Sequence, residues 1–524
     1  MVVVEFAYEE MKKLVDLSRD EMIEGLNNLG APCDYEKETG KILAELTPNR
    51  PDWYSMEGLA RALKAYYKGK KSSYKTKKSD YRVVVDPSVK KVRPFTVCAV
   101  VKGLQFNDER IVDMVLLQEK LLGTLGRKVK KFGLGVYPLD AIEFPVEYTT
   151  MKPEDISYVP LGHEKKMTAK EIIGQHKKGL QYGYLIQQFE RYPVFLDAKK
   201  KVMALVPVVN SAETGKVDLK TKNVFIEVTG KDLDACNAAL NILCCTFADM
   251  GGAVHEVSVE YKDQKLKTPD LKEKTVKLSL KKVNELLGSE FSEKELGKLL
   301  ARMDYAYEKG IVVVPPYRAD VLGPVDVIED VAIAYGYNNF KLTTPGFFSP
   351  GSKIEPFEDI DNIMRGMGFL EMKTFILTNR EKLEIVGYRG KLIEISNPNN
   401  VEYTVVRPNL LADVLDILAN NKMRGLPQKY YEIGLVEEGS KRLVFGIRDK
   451  ELQFSDVRGY LQTLANERGF EFTLNKSKNS LFEEETSCSV VVNNRDIGVF
   501  GKVKKEALEK FGLGFDVYIC ELIL

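Results

Sequence analysis

The stretch RADVLGPVDVIEDVAIAYGYNNF, residues 318–340, contains four carboxylates within eleven residues: Asp320, Asp326, Glu329 and Asp330. Proline fits the first turn of a helix and disrupts a helix interior, so a helix is predicted to begin near Pro324. Asp326, Glu329 and Asp330 then stand at positions i, i+3 and i+4, where side chains share one face. Asp320 lies six residues upstream of Asp326, on an extended segment that can fold back beside that face.

The other residues of this predicted helix suit an element packed against a core. Ile328, Val331, Ala332 and Tyr335 fall on the opposite face, so we expect them to pack inward. Gly336 is placed to end the helix, because glycine adopts the backbone angles that helix ends require. The stretch therefore predicts an amphipathic helix with an acidic face.

Four hard oxygen donors, one of them in a loop, form a constellation that suits magnesium. A simpler explanation is that acidic residues favour the first turn of a helix, where the helix dipole stabilises each charge by about 0.3 kcal/mol or somewhat more. The crowding of three like charges on one face also needs a reason, and a metal ion or a basic partner supplies one. Spacing alone leaves these explanations open.

The stretch also carries a family resemblance. Its pattern R-x-D, followed by D-x-I-E-[DE]-V-A-x-x-Y-G-Y, resembles the signature of the phenylalanyl-tRNA synthetase β-subunit family in its shorter archaeal and eukaryotic form. In that family the four acids bind Mg²⁺ close to an α subunit. The resemblance implies this role for Asp320, Asp326, Glu329 and Asp330, and none of the four positions departs from an acid.

Composition limits the remaining possibilities. A chain of 524 residues is too long for one ordinary core and suggests three or four domains. The net charge is +1, so RNA contacts must come from local patches. The seven cysteines show no C-x-x-C pair, which favours reduced thiols and a cytoplasmic location. No signal peptide and no apolar run of about twenty residues is found, so no membrane span is expected.

We expect an α+β multidomain chain with four parts. Residues 1–80 would form an N-terminal α/β unit that ends in a basic linker, and residues 81–262 an α+β module. Residues 263–341 would form a small domain of two helices and a short sheet, and residues 342–524 a larger sheet domain. Residues 68–78 contain six lysines, which indicates an exposed linker or a contact to RNA phosphates.

The α+β module is predicted from a series of strands and a long helix over residues 233–250. The predicted strands include YRVVVD, FTVCAVVKGL, FGLGVY, YLIQQF, KVMALVPVV and NVFIEVTG. The glycines of FGLGV do not continue as G-x-G-x-x-G, so a dinucleotide site is not supported. Residues 210–223, NSAETGKVDLKTKN, form either a polar turn or a ligand-binding loop.

This module resembles the editing module of the same family, in which water hydrolyses a mischarged tyrosyl-tRNA ester. Matching positions imply an editing pocket around Asn210, Ser211, Glu213, Thr221 and Asp234. A buried polar partner for the tyrosine hydroxyl would reject phenylalanine, and Glu213 or Asp234 is the candidate partner. Tyr137-Pro138 stand where family members usually carry a His-Asp pair, so a candidate water-orienting histidine is missing.

The last two domains also match the family in order. Residues 263–341 resemble its winged-helix-like domain, and residues 342–524, with a strand predicted at MKTFIL, resemble a class II synthetase antiparallel sheet. The G-x-G-x-G-x-x-R signature of class II catalysis is missing, since FGLGF at residues 511–515 lacks the arginine. This sheet domain is therefore expected to lack catalytic motifs. Arg407 in R-P-N-L-L is expected to serve packing.

The resemblance implies the β subunit of a phenylalanine–tRNA ligase, an α2β2 heterotetramer acting on tRNA(Phe). The α subunit would hold ATP and phenylalanine, and this chain would supply a scaffold, tRNA contacts, the Mg²⁺ site and editing. Two other hypotheses are a free-standing aminoacyl-tRNA deacylase and a non-enzymatic RNA-binding assembly protein.

Overall fold

The computed structural model of the chain describes residues 2–344, 346, 351 and 357–524. It separates into two compact units, Met1–Thr344 and Pro345–Leu524, and the chain is a mixed α+β multidomain protein. In the described ranges no helix has both the length and the apolar character needed to cross a membrane. The predicted boundaries at 80/81 and 262/263 fall inside the first unit and stay predictions.

The N-terminal part of the first unit is a small sheet with three helices. The sheet order is β1-β3-β2, and both pairs of strands are antiparallel. Ser18 caps the second helix, and the reciprocal bond from Glu21 completes the capping box. The elements are β1 (Val2–Ala7), α1 (Tyr8–Val15), α2 (Arg19–Asn28), β2 (Cys33–Glu36), β3 (Lys41–Leu46) and α3 (Met56–Lys68).

The lysine-rich segment of residues 68–78 is exposed, as predicted: Lys68 ends α3, five lysines follow it, and all six are exposed. It is nevertheless tied to the rest of the first unit. The Ser72 amide donates to Asp304 over 2.6 Å, the Tyr74 hydroxyl donates to Asp249, and the Lys77 amide donates to the carbonyl of Val254 over 2.8 Å. A contact between these lysines and RNA stays a prediction.

A large mixed sheet forms the middle of the first unit. Its order is β12-β11-β10-β7-β4-β14-β5-β13-β6, with β15 paired to β14. The strands are β4 (Arg82–Val85), β5 (Phe95–Lys102), β6 (Phe132–Pro138), β7 (Val146–Met151), β10 (Tyr192–Leu196), β11 (Val202–Leu205), β12 (Val209–Asn210), β13 (Asn223–Gly230), β14 (Ala253–Glu260) and β15 (Lys265–Thr268). A short ladder joins β8 (Ser157–Tyr158) to β9 (Met167–Thr168). The helices are α4 (Asp108–Gly123), α5 (Ala169–Gln175), α6 (Lys177–Tyr182), α7 (Ala212–Gly215) and α8 (Leu233–Asp249).

Two strand predictions in this part are wrong. The segment YLIQQF does not form a strand; its first residues belong to a short 3-10 helix at Gly183–Leu185. Of its six side chains only Ile186 is fully buried, so the segment lacks the alternation of buried and exposed residues that a strand requires. KVMALVPVV is not one strand, since β11 ends at Leu205 and β12 begins at Val209. Pro207 lies in the break, where it cannot donate to a ladder.

The C-terminal part of the first unit contains a three-stranded sheet and three helices. The sheet order is β16-β18-β17. Ser292 and Glu295 form a capping box at the start of α10. The elements are β16 (Lys274–Lys277), α9 (Leu280–Leu287), α10 (Glu293–Arg302), β17 (Ala306–Glu308), β18 (Ile311–Val314) and α11 (Pro324–Tyr335).

Helix α11 has the predicted bounds but not a uniformly exposed acidic face. It begins at Pro324 and ends before Gly336, whose φ is +92°. Ile328, Val331 and Ala332 are buried as expected. Asp330 is also buried, with 4% of its surface exposed, because the acidic side of the helix packs against the same unit.

The second unit is built on a sheet with the order β19-β22-β23-β27-β26-β25-β24 in its described part. All of these pairs are antiparallel except β19 with β22. The strands are β19 (Leu370–Glu371), β20 (Leu377–Thr378), β21 (Val405–Val406), β22 (Gln428–Leu435), β23 (Lys441–Asp449), β24 (Thr473–Lys476), β25 (Cys488–Val492), β26 (Arg495–Lys502) and β27 (Asp516–Ile523). The helices are α12 (Glu358–Gly366), α13 (Arg380–Ile385), α14 (Leu411–Asn420), α15 (Phe454–Arg468) and α16 (Lys505–Lys510).

Of the predicted strand MKTFIL, only its end enters a strand, β20, which pairs with β21. The segment before it is instead held by the buried guanidinium of Arg407. This guanidinium donates to Thr374 over 2.5 Å and to Asp413 and Glu432 over 2.8 Å each. Burial raises the pKa of Asp413 to about 7 although Arg407 opposes the shift. Arg407 therefore serves packing, as the sequence predicts.

We predict that Gly58→Ala disrupts the start of α3. A Cβ atom at Gly58 would lie 1.9 Å from the carbonyl oxygen of Asp52, so the Pro51–Trp53 turn would have to move. The free energy of local opening, measured by hydrogen exchange of α3 amides, should fall by about 2 kcal/mol. Gly123→Ala is the control because a Cβ there meets nothing within 4 Å. Equal protection of α3 in both variants would contradict the prediction.

Candidate functional site

A cavity of about 310 Å³ lies on the large sheet of the first unit, and we call it the sheet cavity. Its walls are mostly aliphatic and come from α4, β6, the β11–β12 segment and the loop after α7. The lining includes Ile111, Met114, Val115, Leu122, Leu134, Val136, Leu161, His176, residues 204–210, residues 215–217 and Glu227. A space of this size and character accommodates an aromatic or aliphatic group of a ligand.

Glu227 is the one acid of strand β13, and it is 4% exposed. Its Oε2 atom has no hydrogen-bond partner among the described residues. Burial raises the pKa of Glu227 to about 8, although Tyr137 and the positive charge of Arg93 oppose the shift. A carboxyl group is therefore held mostly protonated at neutral pH, and its Oε2 atom is buried without a partner.

The other carboxyl oxygen of Glu227 is occupied from the neighbouring strand. The hydroxyl of Tyr137, which is fully buried on β6, lies 3.3 Å from Oε1 of Glu227 and 3.1 Å from Oδ1 of Asn210. Asn210 stands at the end of β12 and also lines the cavity. Three strands thus bring one carboxyl, one phenol and one amide together.

The second glycine of FGLGV, Gly135, leaves room for this group. In the register of β6 against β13, Gly133 pairs with Thr229 and Gly135 pairs with Glu227. A Cβ atom at Gly135 would lie 2.7 Å from the Tyr137 hydroxyl and 2.8 Å from Oε1 of Glu227. Gly135 therefore serves close packing around a polar group, whereas a Cβ at Gly133 would meet Pro207 at 2.5 Å.

His176 also lines the sheet cavity, but both of its ring nitrogens are engaged. Its Nδ1 accepts from the Lys178 amide over 3.1 Å, and its Nε2 lies 3.3 Å from the Leu161 carbonyl. The hydrogen on Nε2 is then donated to that carbonyl, so His176 has no free nitrogen for a ligand. Its role is to hold the Leu161 loop against α6.

Of the five residues that the sequence assigns to an editing pocket, only Asn210 lines the cavity. Ser211 is buried and caps α7, where its hydroxyl accepts from the Glu213 amide over 3.3 Å. Glu213 is exposed and forms an ion pair with Lys201. Thr221 donates to Asp218 over 3.0 Å, and Asp234 is exposed at the start of α8. These four side chains do not meet around one space.

Glu227 and Tyr137 are the residues that sequence reasoning missed as a pair. The available signal was the composition of NVFIEVTG, because an unpaired carboxyl is costly in an otherwise buried strand. The partner on β6 could not be identified in the same way, since it depends on strand order and register.

A second cavity, of about 400 Å³, contains all four acids of the opening stretch, and we call it the acidic cavity. Its other walls come from the N-terminal part of the same unit. The lining is Asn27, Asn28, Leu29, Gly30, Thr47, Asn49, Arg50, Trp53, Arg318, Asp320, Asp326, Glu329, Asp330, Ile333 and Tyr337. The extended segment thus folds back beside α11, as the spacing predicts.

Within the acidic cavity the four carboxylates have different partners. Arg318 donates to Asp320 over 2.7 Å and to Asp330 over 2.6 Å, and Tyr305 also donates to Asp330. Asp326 accepts from the backbone amides of residues 322 and 323 at the start of α11. Glu329 is exposed and has no hydrogen bond or ion pair to another described residue.

All four side chains offer carboxylate oxygens, which are the type of ligand that Mg²⁺ prefers. In the described ranges, however, no three His, Cys, Asp or Glu side chains are grouped closely enough to hold a metal ion. Asp320 and Asp330 share the single positive charge of Arg318, whereas Asp326 and Glu329 have no ion pair to another described residue. These last two carboxylates are the ones available to a metal ion.

We predict that Glu227→Gln removes a pH dependence of stability. Because folding raises the pKa of Glu227 from 4.5 to about 8, the unfolded chain releases this proton first, and the parent loses stability as pH rises between these values. The variant should gain about 2–4 kcal/mol relative to the parent between pH 4.5 and pH 8.5. Urea unfolding followed by fluorescence of Trp53, the only tryptophan, reports on this unit. The exposed Glu143→Gln is the control, and parallel pH curves for parent and Glu227→Gln would refute the prediction.

Two family models match the chain. The model described as "Phenylalanyl tRNA synthetase beta chain CLM domain" matches residues 353–524, and the model described as "tRNA synthetase B5 domain" matches residues 276–337. The second match contains α11 and the acidic cavity's four carboxylates.

Curated relatives and a solved structure cover more of the chain. The phenylalanine–tRNA ligase beta subunit of Archaeoglobus fulgidus is 36% identical over 100% of this chain and 98% of its own. That of Pyrococcus horikoshii is 32% identical over 95% and 94%, respectively. The crystal structure of an N-terminal fragment of the P. horikoshii phenylalanyl-tRNA synthetase β subunit is 34% identical and superposes with a TM-score of 0.61, covering 64% of this chain and 99% of the fragment. The chain belongs to the phenylalanyl-tRNA synthetase β-subunit family.

Proposed function

We propose that this β subunit acts in an α2β2 phenylalanine–tRNA ligase whose α subunit holds ATP and phenylalanine and joins phenylalanine to tRNA(Phe). Two observations support this proposal. The chain matches a β subunit along its whole length, and its C-terminal part contains no G-x-G-x-G-x-x-R signature. In this proposal the second unit is a class II synthetase-like module without catalytic motifs. Residues 263–341 are a winged-helix-like domain, and residues 81–262 are an editing-type module.

We infer that the sheet cavity is where editing takes place, by hydrolysis of mischarged tyrosyl-tRNA. In that reaction the oxygen of a water molecule bonds to the ester carbonyl carbon. The bond from that carbon to the ribose oxygen breaks, and a proton passes to the ribose oxygen. The products are free tyrosine and uncharged tRNA, and no oxidant or further reactant is needed.

The observation that carries this inference is a buried carboxyl, Glu227, with an unpaired Oε2 atom, in the lining of a cavity with mostly aliphatic walls. A phenol ring fits such walls, and its hydroxyl can pair with the carboxyl oxygen. Phenylalanine would fill the same space but leave the carboxyl unpaired, and sites of this kind discriminate by about 10⁴-fold or more. Glu227 therefore replaces Glu213 and Asp234 as the proposed partner of the tyrosine hydroxyl.

We also propose that the acidic cavity holds Mg²⁺ against the α subunit. Asp326 and Glu329 would be the direct ligands, and Asp320 and Asp330, held by Arg318, would keep the local charge negative. The remaining ligands would be water or groups from the α subunit, since two carboxylates do not complete the six-fold coordination of magnesium. The bound ion would supply positive charge where the two subunits meet.

The first experiment mixes the chain with its α subunit and measures phenylalanine charging and tyrosyl-tRNA deacylation. Charging should require both chains. Glu227→Leu, which removes the acceptor, should lower kcat/KM for deacylation at least about 100-fold and leave charging unchanged. Glu143→Leu, an exposed acid of the same module, is the matched control.

Loss of deacylation in Glu213→Gln or Asp234→Asn, with full activity in Glu227→Leu, would place the tyrosine partner where the sequence alone predicts it. Deacylation by this chain without its α subunit would favour the free-standing deacylase.

The magnesium proposal is tested with the double variant Asp326→Asn and Glu329→Gln. The amide of asparagine can still accept the backbone hydrogen bonds at the start of α11, so the fold should persist. We expect the Mg²⁺ concentration that half-saturates α–β assembly, measured by sedimentation, to rise at least about tenfold. Glu308→Gln, an exposed acid of β17, is the control. Unchanged Mg²⁺ dependence in the double variant would contradict the proposal.

A further inference from the structure

A basic turn at residues 126–131, which follows α4, contributes to the wall of the sheet cavity. Val129 in this turn is 1% exposed and lines the cavity, whereas Arg127, Lys128 and Lys130 are exposed. None of these three cations has an ion pair or a side-chain hydrogen bond to another described residue. Their positive charges are therefore available to a partner at the outside of the cavity wall.

The backbone of the basic turn has an unfavourable conformation. The φ angles of Arg127, Lys128 and Val129 are +48°, +53° and +67°. L-residues rarely adopt this left-handed region, and β-branched residues such as valine do so least. The Val129 amide donates to the Leu122 carbonyl over 3.2 Å, and the buried guanidinium of Arg93 donates to the Val129 carbonyl over 3.3 Å. Strain that the surrounding structure enforces in this way is frequent at ligand sites, and here it accompanies a valine in the cavity wall and two cations in solvent.

The charged residues in the cavity lining also favour an anion. Lys216, which follows α7, lines the cavity, is exposed and has no ion pair to another described residue. Two acids belong to the lining. Glu119 pairs with Lys178 over 3.0 Å, and the raised pKa of Glu227 keeps its carboxyl mostly protonated at neutral pH. Neither acid therefore opposes a phosphate at the edge of the cavity.

The size of the sheet cavity decides which part of an aminoacyl-tRNA would lie near these cations. A volume of about 310 Å³ accommodates an amino acid but not the nucleotides that carry it. The ester joins the amino acid to the ribose of the last nucleotide, so the phosphates of the 3′ end must remain outside the cavity. Binding of RNA depends on lysine and arginine side chains that neutralise such phosphates.

We propose that Arg127, Lys128 and Lys130 of the basic turn, together with Lys216, bind backbone phosphates of the single-stranded 3′ end of tRNA while its amino acid occupies the sheet cavity. This inference rests on the proposed editing function and adds the RNA contact that this function requires. The contact is independent of base sequence, because phosphates carry no base identity. It is separate from the lysine-rich segment of residues 68–78, which contributes nothing to the cavity lining.

The first test measures deacylation of tyrosyl-tRNA by the α–β complex with the double variant Arg127→Ala and Lys128→Ala. The value of kcat/KM should fall at least about tenfold at low salt. The loss of two contacts to single-stranded RNA should also make the slope of log kcat/KM against log salt concentration less steep by about 1.4. The charge-retaining variant Arg127→Lys and Lys128→Arg should keep both parent values. Phenylalanine charging should be unchanged, because the 3′ end then lies at the α subunit.

The matched control is the double variant Lys262→Ala and Lys267→Ala. Both lysines are exposed, and neither has an ion pair to another described residue. They belong to the hairpin of β14 and β15, and β14 lies in the middle of the sheet order, whereas β6 and the β11–β12 segment, which line the cavity, lie at its two ends. The control should match the parent in rate and in salt dependence. An equal loss of deacylation in both double variants would overturn the inference, as would a loss of charging as large as the loss of deacylation.

A crosslinking experiment locates the RNA whether or not the ester is hydrolysed. p-Benzoylphenylalanine replaces Lys128 in one sample of the α–β complex and Lys262 in another, and the tRNA carries tyrosine through a non-hydrolysable amide bond. Position 128 should crosslink to the single-stranded 3′ end, and position 262 should not.

The failure of the inference and the failure of the editing function give different results. If the parent complex does not hydrolyse tyrosyl-tRNA, the editing function fails, and the crosslinks still decide whether the basic turn contacts RNA. Crosslinks from position 128 to the α subunit instead of the tRNA, or the absence of crosslinks to the 3′ end, would overturn the inference.

Discussion

The burial of one carboxyl group in strand β13 is the constraint around which the middle of this chain is arranged. Strand β13 pairs on both sides, with β5 and with β6, and the Glu227 side chain on it is buried, with 4% of its surface exposed. On the neighbouring strand β6, Gly135 lies directly opposite Glu227, and Tyr137 follows two residues later. Without the glycine, the carboxyl and the phenol would not fit, and without the phenol, the carboxyl would have no partner. The polar group in the cavity therefore depends on the register of three strands.

Such an arrangement is costly and is not needed for folding. An apolar residue at position 227 would pack into the sheet without the penalty of a buried and half-paired carboxyl. Buried polar groups that lack a hydrogen-bond partner are characteristic of binding sites, because a ligand supplies the missing hydrogen bond. The cavity next to Glu227 provides the space for such a ligand.

Local signals in the sequence were sufficient for much of the fold. The bounds of α11 follow from Pro324 and Gly336, and the strands predicted at FTVCAVVKGL and NVFIEVTG form as β5 and β13. The strand predicted at YLIQQF failed because a short apolar run does not distinguish a strand from a turn with one anchor.

The sites were less predictable than the fold. The four acids could be grouped from spacing, because three of them share a helix. The partnership of Arg318 with only two of them depends on side-chain burial, which spacing does not reveal. Glu227 and Tyr137 are ninety residues apart, and only the strand order brings them together. Sequence reasoning therefore found the loop beside the sheet cavity, at Asn210, but not the carboxyl within it.

Both cavities contain buried carboxyl groups, but the negative charge of these groups is balanced differently in each cavity. In the acidic cavity Asp320 and Asp330 share the positive charge of Arg318, and Asp326 and Glu329 lie at its more exposed side without an ion pair to another described residue. In the sheet cavity no cation hydrogen-bonds to Glu227 among the described residues, so a proton neutralises the carboxyl instead. Exposed and uncompensated carboxylates attract a cation, whereas a protonated carboxyl in an apolar enclosure attracts a neutral hydroxyl. One chain thus presents a site suited to a metal ion and a site suited to an uncharged aromatic group, and the difference between them is whether an arginine or a proton balances the buried charge.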